Sequence, residues 1–186
     1  MGCPLREHSG AAAVGPSRSA GRERRRVDEE IEALAEAALA EASRNQTAKR
    51  AAQILLRSNS GFVVPTAKQK RLLLVEFARQ NFVVYGKAFD VVKLAGTVNL
   101  DDASDVEQNL DKIVLCEIKS SSRKLPEDFK GYFFALTTPE LLVAQNLKQR
   151  FKFILVNTAT AQYLELTLQE LFGRARGIYP TWSIMF

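Results

Sequence analysis

The side chains best placed for chemistry end an apolar run, Val114-Leu115-Cys116-Glu117-Ile118-Lys119. The run reads as a strand apolar on both faces up to Glu117, where a charge is costly unless something compensates it. Side chains alternate along a strand, so Glu117 and Lys119 project from one face and Ile118 from the other. A second strand-like stretch, 89–94, carries Asp90 near its start. If the two strands pair antiparallel, the start of the first meets the end of the second, and Asp90 arrives beside Glu117. Two carboxylates and one ammonium then share one spot. Paired carboxylates suit Mg2+, a hard cation that takes oxygen ligands at roughly 2.0–2.1 Å and keeps several waters. Such an ion polarises a phosphodiester oxygen and acidifies a bound water, while Lys119 orients that water or balances charge on the phosphate. Asp90 and Glu117 are the candidate metal ligands; with Lys119 they form the candidate catalytic set.

What the sequence lacks narrows the chemistry further. The only histidine, His8, falls in the Arg-rich stretch 1–26 expected as a tail, which argues against Ser-His and Cys-His nucleophiles and histidine-based zinc sites. No G-x-x-x-x-G-K-[ST] tract is present to cradle a nucleotide phosphate. Cys3 and Cys116 form no disulfide framework or paired-cysteine zinc site, and Cys116 reads as a small buried hydrophobe. That usage fits a reducing, intracellular (cytoplasmic) setting. Glu-x-Lys is nevertheless a common triplet, and a structural salt bridge is the competing account of Glu117 and Lys119. A similar triplet, Asp128-Phe129-Lys130, follows Pro126 in a polar loop and reads as a solvated pair.

The elements that must position these residues follow from periodicity. Apolar residues at helical spacing, with Asp28, Glu29 and Glu30 crowding the first turn, predict a helix over 28–42. The Ala48, Ala51, Ala52 and Leu55 stripe predicts another over 45–57, ended by Ser58-Asn59-Ser60-Gly61. A third follows Pro65 over 66–80, with Thr66 as N-cap. Strands are expected at 82–85, 89–94, 113–118, 151–156 and 162–166. Helices are expected at 139–149 and 168–172, and a last strand at 182–186. Residues 96–111 form an acidic, turn-rich loop whose Asp102 rivals Asp90 for the aspartate role. The expected fold is α/β: a mixed sheet flanked by helices, with an N-terminal helical extension. Three regions are expected: a disordered tail over 1–26, the helical extension over 27–60, and an α/β domain over 61–186.

The order helix–strand–strand–strand–helix–strand, with Asp90 on the second strand and Glu117-x-Lys119 ending the third, resembles the PD-(D/E)XK nuclease superfamily. The resemblance covers roughly residues 66–157 and implies a restriction-endonuclease-like core. It implies Asp90 and Glu117 as metal ligands, Lys119 as the catalytic lysine, and Mg2+-dependent hydrolysis of DNA phosphodiesters. Phe89 stands where the superfamily often has proline. Glu76, on the first core helix, occupies an element where many members carry a metal-assisting acid, but it lies late in that helix. Some exonuclease-like members use a glutamine on the helix after the site, where this chain has Gln145.

Charge bears on partners. The net charge of +5 is uneven, for residues 1–26 hold six arginines against two glutamates. Residues 27–43 hold six acids and no base, and residues 44–80 hold eight bases against one acid. Bases grouped along an element can track phosphates, so DNA is the expected partner. Lys68, Lys70 and Arg71 at the start of the third helix, and Arg123 and Lys124 after Lys119, are the candidate DNA contacts, with a solvated surface as the alternative. The N-terminal helices are a candidate homodimer surface. No apolar run approaches the ~18 residues of a membrane span. Met1-Gly2-Cys3 suggests lipidation, but Arg6 stands where the myristoylation pattern wants Ser or Thr. The Arg-rich start also admits a transit peptide, with a disordered tail as the plainer reading. The leading expectation is a Mg2+-dependent DNA endonuclease; the alternative is a non-catalytic nucleic-acid-binding or assembly module of the same fold.

Overall fold

The computed structural model describes residues 46–179, so the expectations for the 1–26 tail, the 28–42 helix and the 182–186 strand lie outside the described residues. Helix α1 spans residues 46–57 and is followed by β1 (Phe62–Val63), α2 (Ala67–Arg79) and β2 (Val91–Leu94). Then come α3 (Ala103–Gln108), β3 (Ile113–Ser121), α4 (Thr138–Leu147), β4 (Phe151–Asn157), β5 (Gln162–Leu166) and α5 (Leu168–Arg174). The strands form one five-stranded sheet in chain order. It is a mixed sheet: β3 and β4 run parallel and the other neighbours antiparallel. A parallel pair needs a long crossover, and α4 lies within it. The chain is therefore an α/β protein with helices flanking a mixed sheet, as its periodicity predicts.

The two faces of the sheet have separate cores. On one face Val92, Leu115, Phe153 and Leu155 pack with Leu73 and Phe77 of α2 and Val143 and Ala144 of α4. On the other, Phe62, Val91, Cys116, Ile154 and Val156 are covered by Ala51 and Leu55 of α1. Ala51 and Leu55 are fully buried. Residues 46–57 thus pack on the sheet and share one compact unit with the other described residues. The second half of the region expected as a helical extension over 27–60 belongs to the α/β body.

Local chemistry fixes where the helices begin. Thr66 and Gln69 form a reciprocal capping box on α2, and Thr167 and Glu170 do the same on α5. Asp102 caps α3, its carboxylate accepting from Ser104 N (2.9 Å). That role withdraws Asp102 from the site, and the 96–111 segment contains a helix where turns alone were expected.

The expected strand at 82–85 is absent. Phe82 and Val84 pack against the core while Val83 and Tyr85 face solvent, so burial alternates without a sheet neighbour. The Val83 N–H donates to the Asn146 side chain (3.1 Å) and the Phe82 N–H to Phe77 O (3.0 Å). The place beside β2 goes instead to β1, a two-residue strand that the Gly and Pro flanking it obscured. Gly61 makes this junction possible. It has φ +81 and its carbonyl accepts the Leu94 N–H (2.9 Å), an approach in which any Cβ would strike the Leu94 backbone.

Candidate active site

β3 is buried over Leu115, Cys116 and Glu117, and partly exposed from Ile118 onward. Glu117 and Lys119 lie on the same face as Phe153 and Leu155, their register partners on β4. Lys119 Nζ lies 3.1 Å from Glu117 Oε1, and its side chain is only 12% exposed. Asp90 precedes β2 by one residue rather than lying within it. Val91 is in register with Cys116, and the Asp90 N–H also donates to Cys116 O (2.9 Å). Two residues therefore oppose one, a bulge of the kind that re-aims a side chain beside a site. The re-aimed Asp90 carboxylate accepts the Ile118 N–H (3.0 Å), which brings its charge next to Glu117. The three residues singled out in the sequence converge.

The electrostatics of this cluster are unusual. Burial, then the Asp90 charge, push the Glu117 carboxyl up to about 9, although the Lys119 ammonium pulls the other way. Both raising influences favour its neutral form, and the ammonium opposes them. A fourth residue, not singled out in the sequence, completes the arrangement. Glu140 is buried, and its Oε2 accepts from Lys119 Nζ (2.8 Å) and from Thr137 N (3.0 Å). Burial raises the Glu140 carboxyl, but the Lys119 hydrogen bond and the Thr137 N–H outweigh it and hold it below the usual range. Thr137 and Glu140 form the capping box of α4, with Pro139 in the first turn. The Thr-x-x-Glu spacing was readable as a helix start. Nothing in that signal says the same carboxylate reaches Lys119 across the fold.

The remaining candidates divide. Lys70 turns inward: Nζ donates to Phe89 O (2.7 Å) and sits 4.7 Å from the Phe89 ring centroid, anchoring the backbone that precedes Asp90. Lys68 is exposed and lies 3.9 Å from Asp101. Arg71, Arg123 and Lys124 are exposed, the last two just beyond the end of β3. Glu76 is buried, but its carboxylate is paired with Arg79 (3.3 Å). Gln145 is exposed, and Asp128 and Lys130 lie at the surface. Burial raises the Cys116 thiol to about 12, as expected of a hydrophobe rather than a nucleophile.

Among the described residues, no three His, Cys, Asp or Glu side chains are grouped as a ready metal cage. The donor set still fits Mg2+, which needs only one or two carboxylates and keeps its waters. Asp90 and Glu117 are two carboxylates within electrostatic reach of each other, and a buried acid whose ionisation a second acid opposes is a group whose charged form a cation would stabilise.

That proton has a cost in stability. An unfolded-state glutamate ionises at its ordinary value of 4.5, whereas folded Glu117 holds its proton up to about 9. Below the ordinary value both states are protonated and folding loses nothing. As pH rises from there toward 9 the unfolded state gives up the proton more readily, so this contribution to stability is lost. Glu117→Gln carries no such proton. In metal-free buffer its thermal midpoint should match wild type near pH 4 and exceed it by a widening margin up to pH 9. Thermal unfolding of both proteins across that range checks this; a variant less stable than wild type at pH 8 would contradict it.

Compared with protein families, curated proteins and solved structures, the chain matches none.

Proposed function

We propose that this chain is a Mg2+-dependent nuclease that hydrolyses DNA phosphodiester bonds as an endonuclease of restriction-endonuclease-like type. One observation carries the reading: a bulge turns the Asp90 carboxylate toward the end of β3, where buried Glu117 has the Lys119 ammonium 3.1 Å away. A structural ion pair needs no third charge that makes Glu117 harder to ionise. The resemblance of Asp90 and Glu117-x-Lys119 to the PD-(D/E)XK pattern supports the same roles. Asp90 and Glu117 would hold the ion, which when bound would supply Lewis acidity and an acidified water. Lys119 orients the attacking water or offsets charge on the scissile phosphate. Arg71, Arg123 and Lys124 are free to meet backbone phosphates. Among the described residues no helix is long and apolar enough to cross a membrane.

A second reading keeps the fold without turnover, as a nucleic-acid-binding or assembly module. What favours it is that Lys119 already has two carboxylate partners, a self-contained cluster. Incubation of the protein with supercoiled plasmid and with single-stranded oligonucleotides, in Mg2+ and in EDTA, separates the two. Metal-dependent nicking or linearisation is the expected result. DNA binding without cleavage of any substrate would leave the module as the surviving reading.

A further inference from the structure

Glu140 is more deeply buried than Glu117, at 4% against 8% exposed, and lies outside the set assigned to metal and catalysis. Its Oε2 receives both the Lys119 ammonium (2.8 Å) and the Thr137 N–H (3.0 Å). One oxygen therefore ties the first turn of α4 to the end of β3. A lysine ammonium is a compact charge on a flexible four-carbon stem, so its place is set by its partners. Of the two carboxylates that hold Lys119, Glu117 is the one whose oxygens a bound cation would occupy. Glu140 is fixed from behind by its own helix. We infer that Glu140 is the positioning residue for Lys119, holding the ammonium in place whether or not Glu117 is engaged elsewhere. Its expected effect on rate rests on the nuclease reading; its effect on Lys119 itself does not.

A merely structural Glu140 would matter only as the third residue of the α4 cap. Two variants part the roles. Thr137→Ala removes the side chain that accepts from Glu140 N (3.5 Å) but leaves the Glu140 carboxylate and the Thr137 backbone N–H in place. Glu140→Gln keeps a residue type that serves in a capping box and removes the charge facing the ammonium. Three quantities are measured on each full-length protein: the thermal midpoint, kcat and KM for oligonucleotide cleavage in Mg2+, and the acetylation rate of Lys119 in EDTA by peptide mass mapping. Thr137→Ala should lower the midpoint and leave Lys119 as protected as in wild type. Glu140→Gln should keep most of the midpoint, expose Lys119 to acetylation on the order of tenfold faster, and lower kcat by a similar factor with KM nearly unchanged. If Glu140→Gln does not fold, Glu140→Asp, which pulls the charge back by one methylene, should show the same loss of Lys119 protection. Wild-type acetylation in the Glu140 variants, or acetylation in Thr137→Ala as fast as in Glu140→Gln, would overturn the inference. Lys119 exposed in Glu140→Gln of a protein that cleaves no DNA would keep the positioning role and remove the nuclease. Cleavage by wild type with unchanged Lys119 and unchanged kcat in Glu140→Gln would do the reverse.

Discussion

Glu117→Gln and Lys119→Ala should each lower Mg2+-dependent DNA cleavage by on the order of 10²-fold or more, the scale of losing one transition-state stabiliser. The two changes act differently. The glutamine keeps the size and hydrogen-bonding capacity of Glu117 but removes the charge that would hold the ion beside Asp90. The alanine leaves both carboxylates and removes the ammonium that sits 3.1 Å from one of them. DNA binding in EDTA should survive in both, because the exposed Arg71, Arg123 and Lys124 are untouched. Binding by Glu117→Gln should be no weaker than wild type, and tighter at high pH, where wild-type Glu117 ionises and adds negative charge facing the phosphates. Filter binding and plasmid cleavage on the same preparations measure both. Cleavage at wild-type rate in both variants would mean that other residues carry the chemistry. Because Glu117→Gln is also expected to be more stable at neutral pH, loss of activity could not be assigned to unfolding. Function and stability pull apart at this residue, as they often do where a site is built from buried charge.

Leu55→Ala should cost about 2–5 kcal/mol, the usual loss for a fully buried leucine truncated to alanine. Leu55 is completely buried, between α1 and the face of the sheet formed by Phe62, Val91, Cys116, Ile154 and Val156. The expected cost reflects α1 as one wall of the second core rather than a detachable arm. Deleting residues 1–26, which lack apolar periodicity, should by contrast shift the thermal midpoint by a few degrees at most, the scale of ~1 kcal/mol. Urea or thermal unfolding of the two proteins beside wild type makes the comparison. A loss well under 1 kcal/mol for Leu55→Ala, on the ~2 kcal/mol scale expected for burying one leucine, would show that α1 rests loosely on the sheet.

Much of this protein was legible in its residues because the signals were local. The strands at 113–118, 151–156 and 162–166 follow from short apolar runs, the first two separated by a helical stretch. The start of α2 at Thr66 follows from cap chemistry within four residues. The meeting of Asp90 with Glu117 needed only the assumption of antiparallel pairing, since register then fixes who faces whom. The misread segment, 82–85, is an unbroken run of aromatic and β-branched residues whose burial alternates in the fold. Burying one side of an extended chain produces that alternation whether or not a neighbouring strand exists, and here Asn146 and Phe77 take the amides instead. β1 was missed for the converse reason: two residues are too short for any period.

The sequence by itself determined the fold class and the strand that carries Glu117 and Lys119. Residue type and spacing along each segment, taken in order, are sufficient for both. Only the tertiary structure decided that Asp90 reaches its place through a bulge, that Lys70 anchors the backbone at Phe89, and that Glu140 closes on Lys119. These contacts join β2, β3, α2 and α4, and no local pattern records which side chain a distant helix end will meet. The same holds for the upward shift of the Glu117 carboxyl. Its chemistry is set by the low dielectric and the second carboxylate that folding brings around it, and neither exists in the unfolded chain.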